Sequence, residues 1–186
     1  MNEERLWAPW RLAYIKGSGV KGAEKPAPPP EPIAWYEGAD ESCFLCRAAA
    51  TYADPEEADR ELLVVARGEL SVAVLNRYPY SNGHVLVAPR RHVATLADLT
   101  DAEHLEIMQS ITRLTRVLGE RVQAQGFNVG VNLGKLAGAG VPGHLHWHIV
   151  PRWPGDHNFM PVTAGVQVIP QSLDELWLLL RKELTG

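Results

Sequence analysis

Three of the seven histidines of this chain fall in one short run, His144-Leu145-His146-Trp147-His148. Strand side chains alternate between faces, so an extended run puts His144, His146 and His148 on one side, roughly 6 to 7 Å apart at Cα. Leu145, Trp147 and Ile149 then point the other way, into a core. Chance rarely aligns three groups that titrate near neutrality. Two chemistries suit them: three imidazoles can chelate a catalytic metal, or one can attack phosphorus while its neighbours orient it and assist the leaving group. The preceding loop, Gly134-Lys135-Leu136-Ala137-Gly138-Ala139-Gly140, favours the second. Glycines let successive backbone N–H groups converge on one anion, which makes a phosphate nest. A metal-centred enzyme also calls for a further ligand soon after the run, and no glutamate follows His148 closely.

Cys43 and Cys46, the only cysteines, have the two-residue spacing that sets two thiolates on one tetrahedral ion. Two buried thiols or a redox pair are the other readings of that spacing.

The elements that must position these groups follow from periodicity. Leu62 to Ala66, Ser71 to Leu75, His84 to Ala88, Phe127 to Leu133 and His144 to Val150 read as strands. Thr100 and Glu103 form a capping box ahead of Ile107, Ile111, Leu114, Leu118 and Val122, which recur at helical spacing, with Gly126 closing the helix. Ser172 and Glu175 announce a C-terminal helix through Leu176, Leu179 and Leu180. Strands, helix, strands, helix is an α+β order with a mostly antiparallel sheet of about five strands.

The run His144-Leu145-His146-Trp147-His148-Ile149-Val150 resembles the His-φ-His-φ-His-φ-φ signature of the histidine triad superfamily. Asn76-Arg77-Tyr78-Pro79 followed by Gly83-His84-Val85-Leu86-Val87-Ala88-Pro89 resembles that superfamily's nucleoside-side strands. Phe127 to Gly134, Pro151 to Asp156, Asn158 to Pro161 and Leu6-Trp7-Ala8-Pro9-Trp10-Arg11 are similar to a narrower branch, the bacterial diadenosine tetraphosphate hydrolases and phosphorylases. The resemblance spans the chain except the linker from 17 to 34. It implies a histidine triad fold and cleavage of dinucleoside polyphosphates by water or inorganic phosphate.

By that resemblance His146 is the nucleophile, its other ring nitrogen held protonated by a backbone carbonyl, and His148 bonds the phosphate or the leaving oxygen. Asn132 and the backbone at Ala139 and Gly140 bind phosphate oxygens, Asn76 binds the ribose, and Trp153 packs near the second nucleoside. On their own residue types, Asn76 and Asn132 are equally turn-forming asparagines and Trp153 a core residue. Relatives with the cysteine pair hold a structural zinc through two further histidines, here His92 and His144, giving the set Cys43, Cys46, His92 and His144. No organic cofactor is implied, and relatives form homodimers. One departure stands out: Val141 replaces the hydroxyl residue that many relatives carry three positions before the first histidine. A phosphoramidate hydrolase and a nucleotide-binding signalling module are the alternative functions on the same fold. His84 lines the nucleoside pocket or lies exposed at a strand end. His104 reads as solvated, Arg152 as a phosphate contact or a surface ion pair, and His157 carries no role.

The whole chain bounds these readings. Its 186 residues, 46% hydrophobic and 22% charged, suit one domain with appendages. A net charge of −4 shows no basic surface for nucleic acid, and no apolar run approaches the roughly 20 residues of a membrane span. Two cysteines and no signal-peptide pattern fit a reduced cytoplasmic chain. The expected layout is an aromatic arm over 1–16 that docks on a surface, a Pro/Gly-rich linker over 17–41, the histidine triad domain over 42–162 and a helical extension over 163–186.

Overall fold

A computed structural model describes residues 29–156 and 171–185. The aromatic arm, the first half of the linker, the Asn158–Pro161 motif, His157 and the start of the C-terminal extension lie outside the described residues.

Five strands form one sheet in the order β1-β2-β3-β5-β4, antiparallel throughout: β1 (Val64–Arg67), β2 (Ser71–Leu75), β3 (Val85–Pro89), β4 (Gly126–Val131) and β5 (Trp147–Arg152). Two short helices, α1 (Phe44–Ala49) and α2 (Pro55–Glu61), precede the sheet, α3 (Asp101–Arg121) connects β3 to β4, and α4 (Leu173–Thr185) follows β5. The α+β expectation holds.

The two sheet faces are covered differently. Against one face, Ile107, Ile111, Leu114 and Leu118 of α3 and Leu176, Trp177, Leu180 and Leu184 of α4 pack on Val65, Leu75, Val85, Val87, Leu145, Trp147 and Ile149. The other face carries Val64, Val72, Val74, Leu86 and Ala88 and is covered by Leu45, Ala48 and Ala49 of α1 with both cysteines. Leu145, Trp147 and Ile149 thus enter the core, and the histidines between them turn to the α1 side. The last helix is also pinned by polar contacts. The Trp177 indole N–H donates to Val64 O at 2.8 Å, and buried Asp59 of α2 receives both Arg67 and Arg181.

Most strand ends differ from the sequence reading by one to three residues, and the end of the long helix by more. The capping box is formed, with the Glu103 N–H donating to Thr100 Oγ1 and the Thr100 N–H to the Glu103 carboxylate. Yet α3 ends at Arg121, not at Gly126: Gln123 takes the left-handed conformation (φ 54°) usual for a terminating glycine, which frees Gly126 to open β4. Leu63, also left-handed (φ 61°), delays β1 to Val64. β4 stops at Val131, short of Leu133. β5 begins at Trp147, because both its ladders end there, at Val87 on β3 and Val131 on β4. The segment before it stays aligned through the Leu145 N–H, which donates to Val93 O at 2.7 Å.

The two short helices went unread because six or seven residues carry no period. The caps explain one of them: Asp54 accepts from the backbone N–H groups of Glu56 and Glu57, with Pro55 in the first turn.

Candidate active site and metal cluster

The histidine run is divided between two environments. At its start, buried His144 sits with its Nδ1 3.4 Å from both Cys43 Sγ and Cys46 Sγ, while His92 Nδ1 is 3.2 Å from Cys46 Sγ. All four ligand atoms lie within 4.8 Å of one another. With the usual bond lengths to sulfur and nitrogen, tetrahedral coordination sets S and N about 3.6 Å apart, so the spacing fits a closed four-ligand site. The rings are also tautomerically ready. His144 Nε2 lies 2.9 Å from Pro89 O, a carbonyl that only accepts, so Nε2 carries the proton and Nδ1 keeps a lone pair for the cluster. Cys43 is pulled well below the ordinary thiol range, to about 3, chiefly by the hydrogen bond from Cys46, whose own thiol is pushed up by the same contact. This Cys2His2 cluster is able to hold a metal ion.

Three parts of the chain converge on it: α1, the segment after β3 and the segment before β5. Cys43 caps α1 and Cys46 lies in its first turn. His92 sits just past β3, next to Arg91, whose guanidinium grips buried Glu103 at the start of α3 at 2.7 Å. That hydrogen bond holds the Glu103 carboxyl at about 2, far below its ordinary value.

Two residues on, His146 is committed the other way. Its Nδ1 lies 2.8 Å from His144 O, so Nδ1 carries the proton and Nε2 keeps the lone pair. Burial lowers its pKa and keeps the ring neutral, outweighing the carbonyl's pull. His146 and His148, with rings 5.1 Å apart, both line a cavity of about 590 Å³. Phe44, Leu62, Leu63, Val74 and Leu86 give the cavity its apolar lining, to which Asn76, Arg77 and Tyr80 add polar side chains. Gly138, Gly140 and Val141 supply the loop side.

His84, given two open readings in the sequence, is 1% exposed and joins the histidines through the sheet. The Tyr80 backbone N–H donates to His84 Nδ1 at 3.1 Å, so the neutral ring carries its proton on Nε2. That proton is donated to His148 Nδ1 at 3.0 Å, which leaves the proton of neutral His148 on Nε2. Burial first, then the neighbouring His148 and His146, push His84 down to about 3, so it stays neutral. The signal available in sequence was Gly83-His84 at the mouth of β3. What it lacked was the partner 64 positions away.

The other candidate residues are distributed as follows. Asn76 lines the cavity and also makes the turn expected of its type: its Oδ1 accepts from the Tyr78 N–H at 3.0 Å. Gly140 lines the cavity, whereas Asn132, Ala139 and Trp153 are not among its lining residues. The Trp153 indole N–H instead donates to Val122 O at 3.0 Å, at the end of α3. Val141 lines the cavity with a side chain that offers no hydrogen bond. Arg152 pairs with Asp156 and donates to Asn128 Oδ1, and His104 contacts Leu96 O, so neither belongs to the site.

Comparison with known proteins agrees with this geometry. The chain is 41% identical to an AP-4-A phosphorylase of Mycobacterium tuberculosis over 181 residues, covering 97% of this chain and 84% of that one. It is 40% identical over 95 residues to the asymmetrical bis(5'-nucleosyl)-tetraphosphatase of Schizosaccharomyces pombe, a match covering 51% of this chain and 52% of that protein. In three dimensions it superposes on a Zn-bound histidine triad family protein from Mycobacterium smegmatis with a TM-score of 0.54 and 27% identity, over 66% of this chain and 84% of that one. The model of the HIT domain family matches residues 57–155, which hold the whole sheet, His84 and the histidine run, and the chain belongs to that family.

Proposed function

We propose that the protein is a nucleotidyl hydrolase or phosphorylase that cleaves dinucleoside polyphosphates of the diadenosine tetraphosphate kind through a nucleotidyl-histidine intermediate. The observation that carries this is the tautomer of His146, a neutral imidazole with an available Nε2 in a cavity wall beside a histidine that presents an N–H. In the first step Nε2 attacks the α-phosphorus. The P–N bond forms as the bond to the bridging oxygen breaks, and His148 gives its Nε2 proton to the departing nucleoside polyphosphate. In the second step water or inorganic phosphate attacks the same phosphorus with a proton passing back to His148, the P–N bond breaks and the nucleotide leaves.

The nucleobase packs on the apolar lining of the cavity, Asn76 meets the ribose, and the backbone at Ala139 and Gly140 with Asn132 holds phosphate oxygens. Trp153 packs near the second nucleoside. Phe44, Leu62, Leu63, Val74 and Leu86 offer the base carbon surface, so shape rather than hydrogen bonding selects it.

The Cys43, Cys46, His92 and His144 cluster holds zinc in a structural role. Bound there, the ion supplies cross-linking of α1 to the histidine run and leaves no open position for chemistry. The protein acts in the cytoplasm as a homodimer. The dimer reading draws on the outer edge of β4, which pairs only with β5 among the described residues, and on exposed Leu105 and Met108 of α3.

Product analysis of diadenosine tetraphosphate turnover, with and without inorganic phosphate, tests the reading. ADP with ATP in the presence of phosphate marks phosphorolysis, and AMP with ATP in its absence marks hydrolysis. No turnover under either condition, with adenosine phosphoramidate or bare nucleotide binding as the only activity, would overturn it.

A further inference from the structure

The His84–His148 pair is roofed by one residue of the loop between β2 and β3. The Tyr80 ring lies 4.7 Å from the His84 ring and 5.9 Å from the His148 ring, nearly parallel to the latter at 13°. Its backbone N–H is the donor that makes His84 Nδ1 an acceptor. The loop is fixed at several points: the Asn76 N–H donates to His84 O at 2.9 Å, the His84 N–H to Ser81 O, and the Ser81 hydroxyl to Pro151 O at 2.8 Å. The ring is therefore presented by a braced turn, with the imidazoles on one side and 41% of the residue exposed.

We propose that Tyr80 is a positioning residue for the leaving-group proton: its ring and backbone N–H together hold His84 and His148 in the arrangement that keeps the proton on His148 Nε2. This rests on the functional reading above for its kinetic consequence, though not for its structural content. A histidine pair sharing one N–H···N bond has two arrangements, and only one puts a proton on the cavity side. Water reaching the pair would compete for that bond and let either ring turn. A flat ring lying against both imidazoles excludes that water without competing for their nitrogens. Phenylalanine would serve as well as tyrosine in this role, and alanine would not. Among the described residues, titratable groups whose rings face the pair include His146 from the segment before β5 and Tyr80 from the loop itself.

The test compares wild type, Tyr80→Phe and Tyr80→Ala by kinetics with diadenosine tetraphosphate and by nitrogen-15 NMR of the histidine side chains. Misdirecting a proton donor by a fraction of an ångström costs about ten- to a hundredfold in rate. The expected result is that Tyr80→Ala lowers kcat by about tenfold or more with KM within about threefold, and Tyr80→Phe restores kcat. The Tyr80→Ala spectrum should show His148 as a tautomer mixture, against a single Nε2-protonated tautomer in wild type, while His84, still met by the backbone N–H of residue 80, keeps its proton on Nε2. A wild-type His148 protonated on Nδ1, unchanged spectra in Tyr80→Ala, or a loss seen only in KM would each overturn the proposal, the last because it would make Tyr80 a substrate contact. The spectra need no substrate, so they decide the positioning role even if wild type cleaves no dinucleoside polyphosphate. That outcome would sink the functional reading alone.

Discussion

His144 and His146 lie two residues apart, turn to the same side of the sheet and are both buried, at 1% and 5% exposure, yet their rings are committed in opposite ways. His144 gives its Nε2 proton to Pro89 O and offers Nδ1 to two sulfurs. His146 gives its Nδ1 proton to His144 O and keeps Nε2. The identity of the residue decides nothing here; the carbonyl within reach of each ring does. One ring offers its lone pair to the Cys/His cluster and the next keeps its lone pair beside the cavity, as the proposed ligand and nucleophile roles require. The two halves are also mechanically joined, because the carbonyl that sets the tautomer of His146 belongs to a residue of the Cys/His cluster.

The comparison breaks most visibly at His146. Replacing it with alanine removes covalent catalysis and should lower kcat by 10³-fold or more, roughly 4 kcal/mol in the barrier, while nucleotide binding persists. His148→Ala should cost less, about 10²-fold, because water partly replaces a proton donor. Steady-state kinetics paired with calorimetric binding checks both, and equal losses at the two positions would contradict the division of roles.

Damage to the cluster should show the opposite signature. Cys43→Ser is expected to lower Tm by about 10 °C, roughly 3 kcal/mol or more for a chain of this size. Below its melting temperature, kcat should stay within about tenfold of wild type, since the ion braces rather than reacts. Thermal melts with and without a chelator, alongside elemental analysis for about one zinc per chain, measure this. Metal-free wild type with unchanged Tm would remove the structural role.

The most gradual effect concerns acid. His84 is held at about 3 in the folded protein against 6.5 unfolded, so the unfolded state takes up a proton first. Stability is fully present above pH 6.5 and declines as pH falls from there through 3, by up to about 1.4 kcal/mol per pH unit. Glu103, held at about 2 by Arg91, adds to the decline only below its ordinary 4.5. Urea melts across this range should show the earlier onset in wild type, and a His84→Asn variant should weaken it, leaving the part that His146, also lowered by burial, supplies and the later Glu103 part.

The sequence made the alternation of the histidine run legible, because a period of two survives even where pairing does not: His144 and His146 lie ahead of β5 and still face as expected. The long helix was equally plain, since its apolar stripe and capping box are local. Its end was misread because a left-handed glutamine did the work expected of glycine. Tautomers were beyond reach, apart from the general expectation that a carbonyl would hold the proton of His146. They depend on atoms such as Pro89 O and the Tyr80 N–H, which only the fold brings near. Asn76 illustrates the limit from the other side: the turn-forming reading and the cavity-lining reading both hold, because one side chain serves both.

The central claim is that His146 Nε2 carries the nucleotidyl group. Rapid acid-free quench of wild type with diadenosine tetraphosphate, followed by peptide mass spectrometry, tests it most directly. The account predicts an acid-labile adenylyl adduct on the peptide containing His146, absent from His146→Ala. An adduct on any other residue, or near-normal turnover in His146→Ala, would contradict it.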